Sequence, residues 1–459
     1  MSLGSNTKPT SAQTDTSYRA IAKLTGPIFL ANLALICSGT IDTMMAGRLS
    51  AAELAGVALG MAIAGWVSVS FSDILQGLSP VAGFYYGAKD YRSVGVSMRH
   101  SLYLALMLTV PGLLLIGMTD FWTEISGIEG DAAVVAAHYL LYYAAGLPAI
   151  LLSRGYICVN AAVSRPKATM IVTVILLILK LPFNAVFMYG WGPVPALGGA
   201  GAGLSTTLLS WIGLLFYWLI WTRDPYYAPM RTELWVPFDK KIFKSLLKVG
   251  LPIGVAGCCE MTAFSAMTLL LARLGDVVVA AHQVLSNLVY LLYVCPFSVG
   301  IAGTILVSQS MGAKYPEGAK AATYRVLKVA LVSSLLLAAA VYVGRYAIVR
   351  LYADDADVVA VAVSVVALAS IYHIVDGLQI SATSLLRGYQ ITFWPMMIHA
   401  IMLCGMGLSV GSVLAYTDWF TEPMGLKGYW VGACVGLGLV ALMIVPLAIH
   451  TARLKVKKP

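Results

Sequence analysis

The stretch ADVVAVAVSVVALASIYHIVDGLQISATSLL, residues 356–386, carries one acid far from either end, Asp376, in an otherwise apolar run. As a helix it would rise roughly 45 Å, ample to cross a hydrocarbon core about 30 Å thick. Comparable runs lie at 20–47, 54–87, 94–118, 131–157, 167–190, 200–222, 244–273, 279–310, 322–350, 393–416 and 428–452. Hydrophobic residues make up 59% of the chain and charged residues only 11%, against about 25% charged in a soluble domain. A water-soluble fold has nowhere to put so much apolar surface. The predicted class is an all-α membrane protein with twelve transmembrane helices.

Placing both termini in the cytoplasm puts 24 of the 30 Lys and Arg residues on the inner side, with Arg154 counted there. Arg48, Arg273, Arg345, Arg350 and Lys427 then fall outside, and Lys180 falls within a span. The positive-inside rule requires this asymmetry. The outer connections are acidic, with Asp120, Glu124, Glu129 and Asp131 in one and Asp354, Asp355 and Asp357 in another. The net charge of +9 is dispersed over short inner segments, so it reads as an orientation signal and not as a nucleic-acid surface. The first apolar span is too long for a cleavable signal peptide and follows a polar tail. The seven cysteines (37, 158, 258, 259, 295, 404 and 434) lie in or beside apolar spans without zinc-type spacing, and read as packing residues.

Internal repetition divides the chain. Ala46-Gly47-Arg48-Leu49 resembles Leu271-Ala272-Arg273-Leu274, and Tyr86-Gly87-Ala88-Lys89 resembles Met311-Gly312-Ala313-Lys314, both at a separation of 225. Pro166 matches Pro395, Leu197 matches Leu426, and Gly199 and Gly203 match Gly428 and Gly432, at a separation of 229. The expected organisation is a cytoplasmic tail at 1–19, a first lobe at 20–222, a cytoplasmic linker at 223–243, a second lobe at 244–452 and a tail at 453–459. Six spans per copy make the repeats parallel, giving two six-helix lobes related by a pseudo-two-fold axis along the membrane normal. Such halves face each other across a central cavity and expose it alternately, which makes a transporter the leading class. Gly26-Pro27, Pro148, Pro182, Gly250-Leu251-Pro252 and Pro296 supply candidate kinks. The run Gly198-Gly199-Ala200-Gly201-Ala202-Gly203 lacks the strand of a phosphate loop and reads as close helix packing. The chain carries no HExxH, GxSxG or Walker motif, so an enzyme is not expected.

Four carboxylates fall inside apolar spans: Asp42, Asp73, Glu260 and Asp376. Each costs about 2.5–3.5 kcal/mol near the bilayer centre, so each is a candidate functional group. For Asp73, the neighbours Ser70, Ser72 and Gln76 offer a structural polar network instead. A buried carboxylate favours its protonated form, whereas two such groups together hold a desolvated sodium ion; either chemistry fits Glu260 and Asp376. Tyr372 and His373 share a helix face with Asp376. Met261, Phe264 and Met267 give Glu260 an adaptable apolar surround, which suits a permissive binding site as well as a core.

Several segments resemble the multidrug and toxic compound extrusion (MATE) family in its bacterial NorM-like branch. They are Ile41-Asp42-Thr43-Met44-Met45-Ala46-Gly47, Arg165-Pro166, Pro195-Ala196-Leu197-Gly198-Gly199-Ala200-Gly201, Pro252-Ile253-Gly254 followed by Glu260, and Leu386-Arg387-Gly388-Tyr389. The resemblance runs from about residue 20 to 450. It implies a multidrug efflux antiporter of the bacterial cytoplasmic membrane, in which inward flow of Na+ or H+ drives export of cationic, often aromatic, drugs and dyes. It also implies that Glu260 and Asp376 couple to the cation, with Tyr293 touching it, and that Asp42 and Asn184 form a first-lobe polar site. Asp355 would serve substrate cations, and Glu260, Asp376, Phe264 and Met267 would line the substrate site.

One position departs from the family pattern. Lys180 stands where an asparagine is usual, one turn before Asn184 and within reach of Asp42, so an internal Lys180–Asp42 ion pair is expected to weaken that site for sodium. No cofactor beyond the coupling ion is expected, and the protein should act as a monomer surrounded by lipid. The alternative is a lipid-linked oligosaccharide flippase of the same superfamily, disfavoured by an interior with four acids and one lysine.

Overall fold

The computed structural model describes residues 15–233 and 236–457. Most of the tail expected at 1–19, two residues of the linker and the last two residues of the chain lie outside the described residues. Among the described residues twelve helical segments are long and apolar enough to cross a membrane. The first half comprises α1 (Tyr18–Gly47), α2 (Ala51–Leu75), α3 (Leu78–Gly87), α4 (Tyr91–Gly117), α5 (Thr119–Ser126), α6 (Asp131–Ala162), α7 (Pro166–Tyr189) and α8 (Ala200–Arg223). The second comprises α9 (Lys240–Leu271), α10 (Asp276–Gly312), α11 (Pro316–Val343), α12 (Arg345–Arg350), α13 (Ala356–Gly388), α14 (Phe393–His399), α15 (Leu408–Tyr416) and α16 (Leu426–Lys457).

Polar residues in the short connections start these helices by accepting hydrogen bonds from otherwise orphaned backbone N–H groups. Ser17, Ser50, Asp90, Asp239 and Asp355 cap α1, α2, α4, α9 and α13 in this way. Pro166 and Pro316 open α7 and α11, where a missing N–H costs nothing. The second span is interrupted at Gln76-Gly77, so that α2 and α3 follow one another across it. The ninth span, expected to reach residue 350, stops at Val343, and after Gly344 a separate short helix begins at Arg345. Between α14 and α15 the eleventh span winds as a π-helix over Ala400–Gly407, a geometry that recurs at functional sites.

Both ends of the described part of the chain lie on one face of the bundle, termed here the terminal face. Arg325 Nη1 donates to the Thr16 carbonyl at 2.8 Å, and Arg453 Nε donates to the Tyr324 hydroxyl at 2.9 Å. The repeat is visible in the backbone. The four non-glycine residues with positive φ among the described residues are Lys89, Ser164, Lys314 and Gln390. They form two pairs, Lys89 with Lys314 and Ser164 with Gln390, at matching turns of the two halves.

The first helix of each half reaches across to the other. Ile21, Leu24 and Ile28 of α1 are buried with α10, α11, α13 and α16, while Ile242, Leu246, Val249 and Ile253 of α9 are buried with α3, α4, α6 and α8. On the terminal half, backbone approaches backbone. Gly87 sits against the main chain of Gln309, Gly312 against that of Phe84, and Gly250 against that of Ile74. Gln309 Nε2 donates to the Ala162 carbonyl at 2.6 Å and to Ser164 Oγ at 2.9 Å. The lobe boundaries at 20 and 244 thus divide the sequence repeat, whereas in space α1 and α9 each begin in the opposite lobe.

Candidate cation and substrate cavity

A cavity of about 530 Å³ lies between α2, α6, α9, α10, α13 and α14. Glu260 reaches it from α9, Tyr293 from α10 and Asp376 from α13, so three side chains far apart in the sequence share one space. Pro252 and Pro296 stand in α9 and α10 ahead of Glu260 and just after Tyr293. One wall is aromatic: Tyr290 stacks on Tyr293 at 6.5 Å between ring centroids, and Tyr293 on Phe297 at 5.2 Å. Phe264 adds an edge-to-face contact with Tyr372 at 6.3 Å. An apolar, aromatic enclosure with a few converging acids is the chemistry that receives a lipophilic cation.

The cavity also holds charges that hydropathy alone misplaces. Asp73 lines it beside Gln76, whose amide donates to the Asp73 carboxylate. Asp73 is thus both part of the polar network expected for it and part of the cavity wall. Arg154, counted above among the inner-face cations, stands inside the span formed by α6 and lines the cavity; its Nε is buried without a hydrogen-bond partner. Arg387, in the last turn of α13, lines it as well. The ledger of four interior acids and one lysine is therefore corrected: this cavity combines three acids with two guanidinium groups. A long apolar run with one arginine near its end looks identical whether the arginine snorkels or turns inward, which is why Arg154 was misread.

Asp42 and Asn184 do not join this cavity. Asp42 is buried within the first lobe, where its Oδ1 accepts from Asn184 Nδ2 at 2.6 Å and pairs with Lys180 Nζ at 2.9 Å. Lys180 also donates to Thr206 Oγ1 at 2.5 Å. The cation-coupling set named from the resemblance is thus divided into an open group in the second lobe and a closed ion pair in the first.

Two further expected substrate residues lie elsewhere. Asp355 is exposed and caps α13 through the N–H groups of Asp357 and Val358; twenty-one positions of helix put it about 30 Å from Asp376. Met267 is buried in the hydrophobic core with Leu271, Leu285 and Tyr372 and does not line the cavity, whereas Phe264 does. His373 is fully buried with neither ring nitrogen hydrogen-bonded. Gln379 and His399, which sequence reasoning passed over, connect to Asp376. Gln379 Nε2 donates to Asp376 Oδ1 at 2.9 Å, and His399 Nε2 lies 2.8 Å from Gln379 Oε1.

Among the described residues no group of three or more His, Cys, Asp or Glu side chains converges as metal ligands would, and the seven cysteines are free thiols. A larger, open basin of about 1090 Å³ lies on the terminal face, remote from the intramembrane acids, lined by Arg19, Lys23, Lys89, Arg165 and Lys167 with Asp15 and Asp224. There Arg165 meets Asp224 at 2.5 Å and stacks over Tyr226 at 4.5 Å. The Tyr226 backbone N–H and the Arg165 guanidinium hold the Asp224 carboxyl below its usual range.

The chain matches the MatE family model over residues 27–186 and 252–413, one match in each half. It is 33% identical over 435 residues to a probable multidrug resistance protein NorM of Mannheimia succiniciproducens, covering 93% of this chain and 92% of that one. It is 33% identical over 433 residues to the multidrug resistance protein NorM of Aliivibrio fischeri, covering 92% of each. The fold superimposes with a TM-score of 0.85 on the crystal structure of the eukaryotic MATE transporter AtDTX14, at 20% identity over 96% of this chain and 98% of that one. It superimposes with a TM-score of 0.86 on an outward-facing multidrug resistance MATE family transporter of the MOP superfamily, at 18% identity over 99% of this chain and all of the other. A multi-pass helical membrane protein with an internal repeat, a model match in each repeat and relatives aligned over nearly its whole length, this chain belongs to the MatE family.

Proposed function

We propose that this protein is a multidrug efflux antiporter of the bacterial cytoplasmic membrane, exporting cationic aromatic compounds in exchange for Na+ or H+. The observation that carries this reading is the shared cavity: Glu260, Asp376 and Asp73 beside the aromatic wall of Tyr290, Tyr293 and Phe297. The NorM names of its relatives support it. With the terminal face in the cytoplasm, as the positive-inside rule places it, the glycine seam closes the inner side and the cavity serves the outer one. Drug and ion then compete for the same carboxylates, and the difference in their affinities between the two facing states sets the coupling. The Lys180–Asp42 pair neutralises the closed first-lobe site, so coupling rests on Glu260 and Asp376.

Dye efflux from proteoliposomes under an imposed sodium gradient, and separately a proton gradient, tests this and identifies the ion. Glu260→Gln and Asp376→Asn should each cut gradient-driven efflux at least tenfold; undiminished efflux in both variants overturns the assignment. Arg154 and Arg387 favour one second reading, a lipid-linked oligosaccharide flippase, because paired guanidinium groups suit an anionic headgroup. Competition of dye binding by a lipid-linked pyrophosphate, lost in Arg154→Gln, would select that reading instead.

A further inference from the structure

Asp376, Gln379 and His399 form a continuous hydrogen-bonded chain of three side chains, each at most 4% exposed. Its far end is anchored: His399 Nδ1 lies 2.8 Å from the Pro395 carbonyl. A carbonyl only accepts, so Nδ1 carries a proton. The protonation of the rest of the chain then follows from the Gln379 amide, whose oxygen and nitrogen occupy equivalent places. With Oε1 toward the histidine, as here, Nε2 of His399 must donate, giving an imidazolium, while the amide nitrogen donates to an Asp376 carboxylate. With the amide turned over, its nitrogen donates to an unprotonated His399 Nε2, and its oxygen faces Asp376, which must then be a neutral acid. The combination of a carboxylate with a neutral histidine leaves two acceptors opposed at one end whichever way the amide lies.

From this we propose that His399 is a second proton-binding residue of the coupling site, tied to Asp376 through the Gln379 amide so that the carboxylate form of Asp376 requires a protonated His399. The inference rests on the antiporter reading and deepens it: cation binding at Asp376 is gated by a residue on a different span. Conversion between the two states removes one proton from His399 Nε2, adds one to Asp376 Oδ1 and rotates the amide by half a turn. The proton travels through solvent in the cavity, which both residues line and which is large enough to hold water. The pair's net charge is zero in both states.

The fold makes room for this. The π-helix over Ala400–Gly407 starts at the residue after His399, and a widened turn frees local backbone from strict helical register. The ionisable side chains that line the cavity with His399 are Asp73 on α2, Arg154 on α6, Glu260 on α9, Tyr290 and Tyr293 on α10, and Tyr372, Asp376 and Arg387 on α13. Gln379 and His399 act through Asp376 and are positioning residues.

The test is a reciprocal titration. In the whole protein, 15N-labelled at its six histidines and assigned with His399→Gln, ring nitrogen shifts report the His399 protonation midpoint. That midpoint should fall by about one pH unit or more in Asp376→Asn, as linkage between coupled groups demands. In parallel, the pH at which bound tetraphenylphosphonium is half displaced should rise by a similar amount in His399→Gln. Gln379→Leu should produce both shifts while leaving both ionisable residues in place. Coincident His399 midpoints in the wild type and Asp376→Asn overturn the proposal, as does weaker binding in His399→Gln with an unchanged displacement midpoint. Failure of the wild type to bind the probe at any pH instead sinks the antiporter reading, and the nitrogen shifts still decide the relay.

Discussion

Gly83 packs its backbone against the Ser308 side chain, and these two residues occupy the same position in the two repeats, 225 apart. Equivalent positions meet only on the axis that relates them, so the pseudo-two-fold passes between α3 and α10 on the terminal half. The contacts beside it are reciprocal: Gly87 meets the main chain of Gln309, three residues before Gly312, and Gly312 meets that of Phe84, three before Gly87. A side chain at either glycine would strike backbone, which cannot swing aside as a flexible side chain can.

Gly87→Val and Gly312→Val should therefore force the lobes apart on the terminal half. Spin labels at Lys89 and Lys314, which sit in equivalent turns, should show a distance distribution moved to longer values, and gradient-driven dye efflux should fall. An unchanged distribution would mean that this seam does not set the closed state.

Removing one member of the buried first-lobe pair leaves a charge without its partner. Lys180→Met should destabilise the protein by about 3–5 kcal/mol, the usual cost of breaking such a pair from one side. Adding Asp42→Asn should restore most of that loss, because the orphaned charge goes with it. Thermal unfolding in detergent reads both. Equal stability of the single and double variants would show that the two side chains do not act as a unit.

At the linker the sign of a pH effect follows from Asp224. Its carboxyl is held below the ordinary value, so its contribution to stability is present above the unfolded-state pKa, about 3.9, and disappears as pH falls through the folded-state value. Wild type should be more stable than Asp224→Asn at pH 7, with the gap closing in acid below pH 4. A gap that persists at pH 2 would assign the difference to packing instead of charge.

The spans, their number and the repeat were legible because each depends on a local property: apolar run length, or a short motif returning at a fixed offset. The cavity was legible in part. Glu260, Asp376, Tyr293 and Phe264, singled out by motif and hydropathy, line one cavity, while Asp42 and Asn184 belong to a separate closed site. Met267 shows the limit of spacing arguments. Met267 is two turns beyond Glu260 on α9 yet faces the core, and Asp355, named from the resemblance, caps α13 at the end remote from Asp376. Arg154 and His399 were missed for a related reason: an inward-turning side chain is decided by packing between distant helices, which a single run of sequence does not record. The break at Gln76-Gly77 and the π-helix after His399 are departures from regular helix in segments whose composition reads as uniformly apolar.

The Lys180–Asp42 pair bears on the electrical character of the cycle. Two deep charges that cancel each other can be carried through reorientation without work against the membrane voltage, which otherwise amounts to about 2.3 kcal/mol per elementary charge for every 100 mV. Whatever current accompanies turnover must then originate at the shared cavity, where Asp73, Glu260, Asp376, Arg154 and Arg387 stand. Exchange of one monovalent drug for one ion would be electrically silent, and a second inbound ion would let the membrane potential itself draw the drug out.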